Sequence, residues 1–229
     1  DIARQTGTLA PVNYVMALGP GNYGHQLQNI DSPNALLVAD WQQSTSSLNT
    51  NFNGTRSAGG LRVSFDVNAN PAVYGNADQT VWGALAFGAS AANQLVDVNG
   101  AATHFGILFR GNGNLQAFDG GGVVGGEPAY SALAGSVMRH VEILFSDTDG
   151  NPFDGAGSTK IDVFGDVNGY ASPVYTFTKT GGGYIDNYMN IQGYFRAHFD
   201  NLRIEQVPEP SALFLTGMAG LAALRRRKA

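Results

Sequence analysis

Leu61-Arg62-Val63-Ser64-Phe65-Asp66-Val67 alternates strictly between apolar and polar side chains. A period of two places Leu61, Val63, Phe65 and Val67 on one face of an extended strand. The same rhythm recurs along the chain. Phe105, Ile107 and Phe109 share a face opposite His104, Gly106, Leu108 and Arg110. Val141, Ile143 and Phe145 oppose Glu142 and Leu144, and Ile161 and Val163 flank Asp162. Val174 to Thr178 is rich in β-branched and aromatic residues, and Ala35–Trp41, Val81–Phe87 and Leu115–Asp119 are further strand candidates.

Turn signals separate these runs: Asn53-Gly54, Asn99-Gly100, Asp149-Gly150, Asp154-Gly155, Asn168-Gly169 and Gly181-Gly182-Gly183. Such pairs accept the positive φ of tight β-turns. No long window in the body carries a helical stripe, so the pattern predicts roughly ten to thirteen strands and at most a short helical turn. The last strand has a break in parity. Phe195, Ala197 and Phe199 alternate on one parity, then Leu202 and Ile204 continue on the other. One extra residue near Asp200-Asn201 would return both groups to the same face, which is the work of a β-bulge. The alternative is a strand that ends and restarts. Many short antiparallel strands without helices imply an all-β sandwich or barrel.

Composition agrees. Glycine accounts for 31 of 229 residues, and only 14% are charged while 10% are aromatic. Low charge with that aromatic content argues against disorder. Cysteine is absent, so the core or a bound metal must hold the fold. The formal charge is −5, but the basic residues 225–228 mask a body near −8. An acidic body disfavours nucleic acid and anionic lipid as partners.

The C-terminal segment is of another kind. Pro208-Glu209-Pro210 precedes an uncharged run, Ala212–Leu224, which is followed by Arg225, Arg226, Arg227 and Lys228. As a helix the run would reach roughly 20 Å at about 1.5 Å per residue, short of a hydrocarbon core about 30 Å thick. The basic cluster would stay at the cytoplasmic headgroups, with long Arg stems absorbing the mismatch. Pro208 and Pro210 forbid helix at the junction and leave an extended, protease-accessible segment. This order of Pro-Glu-Pro, apolar stretch and basic cluster resembles the PEP-CTERM sorting signal of Gram-negative bacteria. The resemblance implies an exported protein, with an exosortase-type membrane protease cutting near Pro208-Glu209-Pro210. It also implies an export signal that has been removed from or left out of this chain. The expected organisation is a β-sandwich over residues 1–207 and a sorting signal with a short hydrophobic helix over 208–229.

The order of Leu61–Val67, Val81–Phe87, His104–Asp119, Val141–Phe145, Lys160–Phe164 and the closing Ala197–Ile204 resembles a concanavalin A-like jelly roll. A closing strand of the Phe-Asp-Asn-Leu type before Pro-Glu-Pro also resembles exported proteins with such tails. A shared fold fixes no activity.

Retaining jelly-roll glucanases need two carboxyl groups about 5 Å apart. The body has three glutamates, Glu127, Glu142 and Glu205, and none has a partner glutamate four residues away. The histidines His25, His104, His140 and His198 show no zinc spacing and no Gly-x-Ser-x-Gly elbow occurs; each reads as a surface or cross-strand residue. Asp147, Asp149, Asn151 and Asp154 supply the hard oxygens that Ca²⁺ prefers. Pro152 stands where an EF-hand loop needs Gly, however, and Ser158 where it needs Glu. The plainer alternative is a hairpin loop whose Asp and Asn side chains cap their own turns.

A sugar needs an exposed aromatic platform with amide, carboxylate or guanidinium groups around it. Trp82 and Tyr130 are the leading platforms, Tyr184 and Tyr188 further ones. Asp119 and Asn114 are the expected hydrogen-bonding partners, with Arg110 and His104 nearby in sequence. The alternative places Trp82 in the core. The sequence therefore points to an exported, non-catalytic surface or matrix protein that binds extracellular polysaccharide, delivered to the cell surface through transient inner-membrane anchoring. The second reading is a self-associating subunit of a surface layer or filament, and the third a polysaccharide-active enzyme.

Overall fold

A computed structural model describes residues 60–69, 81–91, 94, 96–100, 105–133, 137–148, 157–180, 188–194 and 197–207, and by backbone the strands within 14–16, 26–28, 35–37 and 44–48. Among the described residues the chain forms fourteen strands: β1 (Tyr14–Met16), β2 (Gln26–Gln28), β3 (Ala35–Leu37), β4 (Ser44–Leu48), β5 (Leu61–Asn68), β6 (Trp82–Ala89), β7 (Phe105–Arg110), β8 (Leu115–Asp119), β9 (Gly122–Val124), β10 (Arg139–Asp147), β11 (Ser158–Phe164), β12 (Tyr175–Thr180), β13 (Tyr188–Tyr194) and β14 (His198–Gln206). The helical content among them is one 3-10 turn, Asp166–Asn168. The strand total exceeds expectation because several strands have three residues, too few to show a period.

The strands make two antiparallel seven-stranded sheets. The first runs β1-β4-β13-β6-β7-β8-β9 and the second β12-β11-β10-β5-β14-β3-β2. The chain crosses between sheets repeatedly, at β1–β2, β3–β4, β4–β5, β5–β6, β9–β10, β12–β13 and β13–β14. The alternation read from the sequence puts Leu61, Val63, Phe65 and Val67 fully inside, with Phe105, Ile107, Phe109, Val141, Ile143 and Phe145. Rings from opposite sheets lock together. Phe65 meets Phe109 edge-on at 5.3 Å, and Phe87 meets Phe145 at 4.8 Å, geometries that suit the aromatic quadrupole.

The parity break in β14 is a bulge. Asp200 pairs with Asp66 and Arg203 with Ser64, so one extra residue sits on β14, and Asn201 takes φ +53°. Leu202 and Ile204 are thereby returned to the core with Phe199. The proposed C-terminal helix and residues 208–229 lie outside the described residues.

Candidate functional site

The inward parity of β6, β7, β8 and β13 is spent on the core, so the opposite parity faces outward on the first sheet. There the register sets Tyr194 beside Trp82 and Trp82 beside Arg110, across β13, β6 and β7. The Trp82 and Tyr194 rings stack at 6.0 Å between centroids and 19° between planes. Both are half-buried. The sequence run that begins Val81-Trp82 gave no sign of which parity would face outward; burial of Leu85 and Phe87 decides it.

Beyond Trp82 the row becomes polar. The Arg110 guanidinium donates through Nη2 to Gln116 Oε1 at 2.5 Å and to Glu127 Oε1 at 3.4 Å, and Gln116 Nε2 donates to Glu127 Oε1 at 2.8 Å. Glu127 reaches this place because the chain after β9 returns alongside β8: Asn114 bridges Ala129, and Leu115 N donates to Pro128 O at 2.9 Å. Asn114 forms the turn below Arg110, whose amide donates to Asn114 O at 2.8 Å. The result is one row, two aromatic rings followed by a guanidinium, an amide and a carboxylate.

The middle of the same face is covered by the chain itself. Residues 94 and 96–100 lie over it as a strap tied down by two buried amides. Asn190 Oδ1 accepts from Val96 N at 2.8 Å, and Asn190 Nδ2 donates to Gln94 O at 3.3 Å. Gln192 Oε1 accepts from Val98 N at 2.7 Å, and Gln192 Nε2 donates to Val96 O at 3.0 Å. Val96 and Val98 close a second apolar cluster with Ala84, Ala86, Ala89, Leu108 and Phe118, against which Trp82 and Tyr188 pack. Gly106 permits the close approach: a Cβ there would lie 2.0 Å from Val98 O.

Four residues were expected to form a sugar site, and the structure brings two of them together. Trp82 lies on the outer face, and Asn114 borders the Arg110 end of the row. Tyr130 is a correction. It is fully buried, its ring edge-on to Phe109 at 5.3 Å and under the Arg139 guanidinium, so it offers no stacking surface. Burial, partly offset by Arg139, pushes its phenol up to about 12. Asp119 is also elsewhere. It sits on the inward parity of β8 and binds Lys179 Nζ of β12 at the seam between the sheets. Sequence reading missed Tyr194, Gln116 and Glu127. The alternation Tyr188, Asn190, Gln192, Tyr194 against Met189, Ile191, Gly193 carried the signal for β13.

Of the residues proposed for calcium, Asp147 ends β10 opposite Thr159. Asp149, Asn151 and Asp154 lie outside the described residues. The neck of that loop is closed by Thr148, whose amide and hydroxyl both donate to Ser158 O, at 2.9 and 2.8 Å. Among the described residues no three acidic or histidine side chains gather for a metal.

The three glutamates are dispersed. Glu127 stands on the first sheet; Glu142 lies 3.7 Å from Arg62 and Glu205 2.6 Å from Arg203 on the second. His140 bridges strands on the second sheet, its Nδ1 2.7 Å from Asp66 Oδ1 and its Nε2 3.6 Å from Glu142. The hydrogen bond to Asp66 raises the His140 pKa above 6.5, against the opposing effect of burial. His198 is buried between Asn68 and Leu37 in the register, a cross-strand residue rather than a surface one.

No family model matches this chain, and no curated protein matches it. Among solved structures, it is similar to the carbohydrate binding module CBM66 from Bacillus subtilis, at 11% identity and TM-score 0.42, over 88% of this chain and 99% of that one. It is similar to the exoplasmic/lumenal domain of VIP36 in its Ca²⁺-bound form, at 10% identity and TM-score 0.47, over 87% and 85%. A third likeness is to the PL-14 alginate lyase from Aplysia kurodai, at 12% identity and TM-score 0.44, over 80% and 86%. The function has to be read from this chain's own row of residues.

Proposed function

We propose that the chain is a non-catalytic glycan-binding protein, with the Trp82–Tyr194 pair as its stacking platform and Arg110, Gln116, Glu127 and Asn114 as the polar groups that orient the sugar. The carrying observation is the partly buried, stacked aromatic pair in register with the Arg110 guanidinium, which is hydrogen-bonded in turn to an amide and a carboxylate. A few placed polar groups beside apolar surface are what a polyol ligand requires. Arg110 is matched by Glu127, so the row is balanced in charge and suits a neutral glycan. The separation of the glutamates supports binding over hydrolysis, which would need a facing carboxyl pair.

The test is a glycan array on the full chain with Trp82→Ala beside it. We expect at least a tenfold loss on the binding glycans, on the order of 1.4 kcal/mol. Undiminished binding by Trp82→Ala would remove the platform from this row.

The same proposal makes the protein an exported one, its residues 208–229 read by an exosortase-type protease; the support is the order Pro208-Glu209-Pro210, apolar run, Arg225-Arg226-Arg227. Replacing Glu209 by Ala should leave unprocessed protein in the inner-membrane fraction, and normal release would dismiss the signal. A calcium ion on the Asp147–Asp154 loop completes it, supported by the oxygen chemistry of those side chains. Identical melting curves in calcium and in chelator would dismiss the ion.

A further inference from the structure

We propose that the site holds a linear glycan lying across the strands, along the row from Tyr194 to Glu127, and that the strap, residues 94 and 96–100, fixes this direction by filling the path along the strands. The inference rests on the glycan-binding reading above and adds the ligand's orientation and length.

The row crosses the sheet. Tyr194 belongs to β13, Trp82 to β6, Arg110 to β7 and Gln116 to β8, with Glu127 on the returning segment beyond. Neighbouring strands lie about 5 Å apart, so these five positions span about 20 Å. An extended linear sugar chain advances per ring by a distance comparable with one inter-strand step. The row therefore offers about four ring positions, aromatic at one end and polar at the other.

A chain running along the strands instead would have to cross the middle of the face, and that path is filled. Asn190 and Gln192, the amides that would otherwise greet it, are fully buried and committed to the strap's backbone. Val96 and Val98 seal the apolar floor beneath. Gly106 holds the strap at contact distance, since any Cβ would strike Val98 O. Trp82 packs against the strap cluster and stacks on Tyr194, and remains only partly buried. The strap thus fills the face on one side of the row.

Two halves of different chemistry give the row a direction. Stacking at Trp82 and Tyr194 is indifferent to hydroxyl pattern, whereas the Arg110–Gln116–Glu127 triad can sense it. A disaccharide would satisfy the aromatic half alone; longer chains would add the polar half.

The test uses the full chain and ladders of gluco- and manno-oligosaccharides of one to six units, measured by calorimetry. We expect affinity to rise by tenfold or more from two units to four and then level off. Gln116→Ala should erase the gain from two to four units and leave disaccharide affinity unchanged, while Trp82→Ala should weaken every length. Gly106→Ala, or Asn190→Ala if the first does not fold, should displace the strap and let affinity continue to rise beyond four units. Affinity that is flat with length, or that climbs steadily to six units in the unaltered protein, overturns the orientation while leaving a Trp82-dependent glycan site standing. Equal loss at every length in Gln116→Ala also overturns it. No binding to any ladder by a chain that binds no array glycan overturns both readings.

Discussion

Tyr130 shows how residue identity misleads without burial. The segment Ala129-Tyr130-Ser131 has no alternation, so nothing in it distinguishes an inward from an outward ring. In the fold its backbone is locked: a Cβ on Gly165 would lie 1.9 Å from Tyr130 O, and Tyr130 N donates to Gly113 O at 2.8 Å. Tyr130→Ala should cost about 3–5 kcal/mol as a buried aromatic truncation. Tyr130→Phe should cost about 1 kcal/mol, for the hydroxyl's bonds to Arg139 and Arg110 O. Thermal melts give both numbers, and glycan affinity of the folded variants should be unchanged; a stable Tyr130→Ala that has lost binding would restore Tyr130 as platform. Asp66 and His140 carry a second residue-scale consequence. Burial acts to raise the Asp66 carboxyl, but hydrogen bonds from His140 and Asn201 outweigh it and hold it below 3.8. His140 is raised above 6.5, so its contribution is full below 6.5 and fades as pH climbs through the higher folded value. Asp66 contributes above 3.8 and fades as pH falls through its lower folded value. The pair therefore supports the fold most between about pH 4 and 6.5. His140→Ala should flatten the decline in melting temperature above pH 6.5, and an unaltered slope would show that the decline arises elsewhere.

At the scale of elements, the sequence was most legible where one face is buried and the other wet. β5 and β8 stand where the alternation placed them, because period two survives when only one parity packs. β13 alternates as well, but its burial does not follow the alternation. Its outward Asn190 and Gln192 are as buried as its inward Met189 and Ile191, under a strap that no local pattern announces. The site suffered in proportion, since its second ring, Tyr194, is on β13, and Glu127 joins the row by an irregular return. The β14 bulge was legible because a parity break has few physical solutions. Its Asn201 takes φ +53°, a conformation that Asn tolerates and β-branched residues do not. Asn201→Val should lower stability by about 1–3 kcal/mol. Asn201→Gly should lose less, mainly its 2.6 Å hydrogen bond to Asp66. Denaturant titrations compare the two; equal losses would place the cost in the hydrogen bond rather than in the backbone.

At the scale of the molecule, open sheets must guard their edges, because unpaired strand groups recruit other copies. On one side the edges are β9 of the first sheet and β12 of the second. β12 is stitched across the seam to β9, β7 and β8 of the first sheet. Tyr175 Oη donates to Val124 O at 2.9 Å, Phe105 stacks on Phe177 at 5.9 Å, and Lys179 Nζ donates to Asp119. Lys179 lies on the same parity of β12 as the core-facing Tyr175 and Phe177, so it is an inward-pointing charge on an edge strand. Such a charge deters pairing, since a docking strand would bury it with its partner removed from water. Asp119 finds its role here, as the counter-ion of that guard rather than as a sugar ligand. This arrangement weighs against assembly through β12. Lys179→Val tests it. The variant strips the charge, leaves Asp119 at the seam without this cation, and lengthens the apolar stripe of β12. We expect light scattering to show large species growing with concentration, while the unaltered chain and Lys179→Arg hold their size. If Lys179→Val keeps the size of the unaltered chain at every concentration, the edge is protected by its stitching alone. If the unaltered chain itself polymerises with no glycan bound, the self-assembling subunit becomes the better account of the whole molecule.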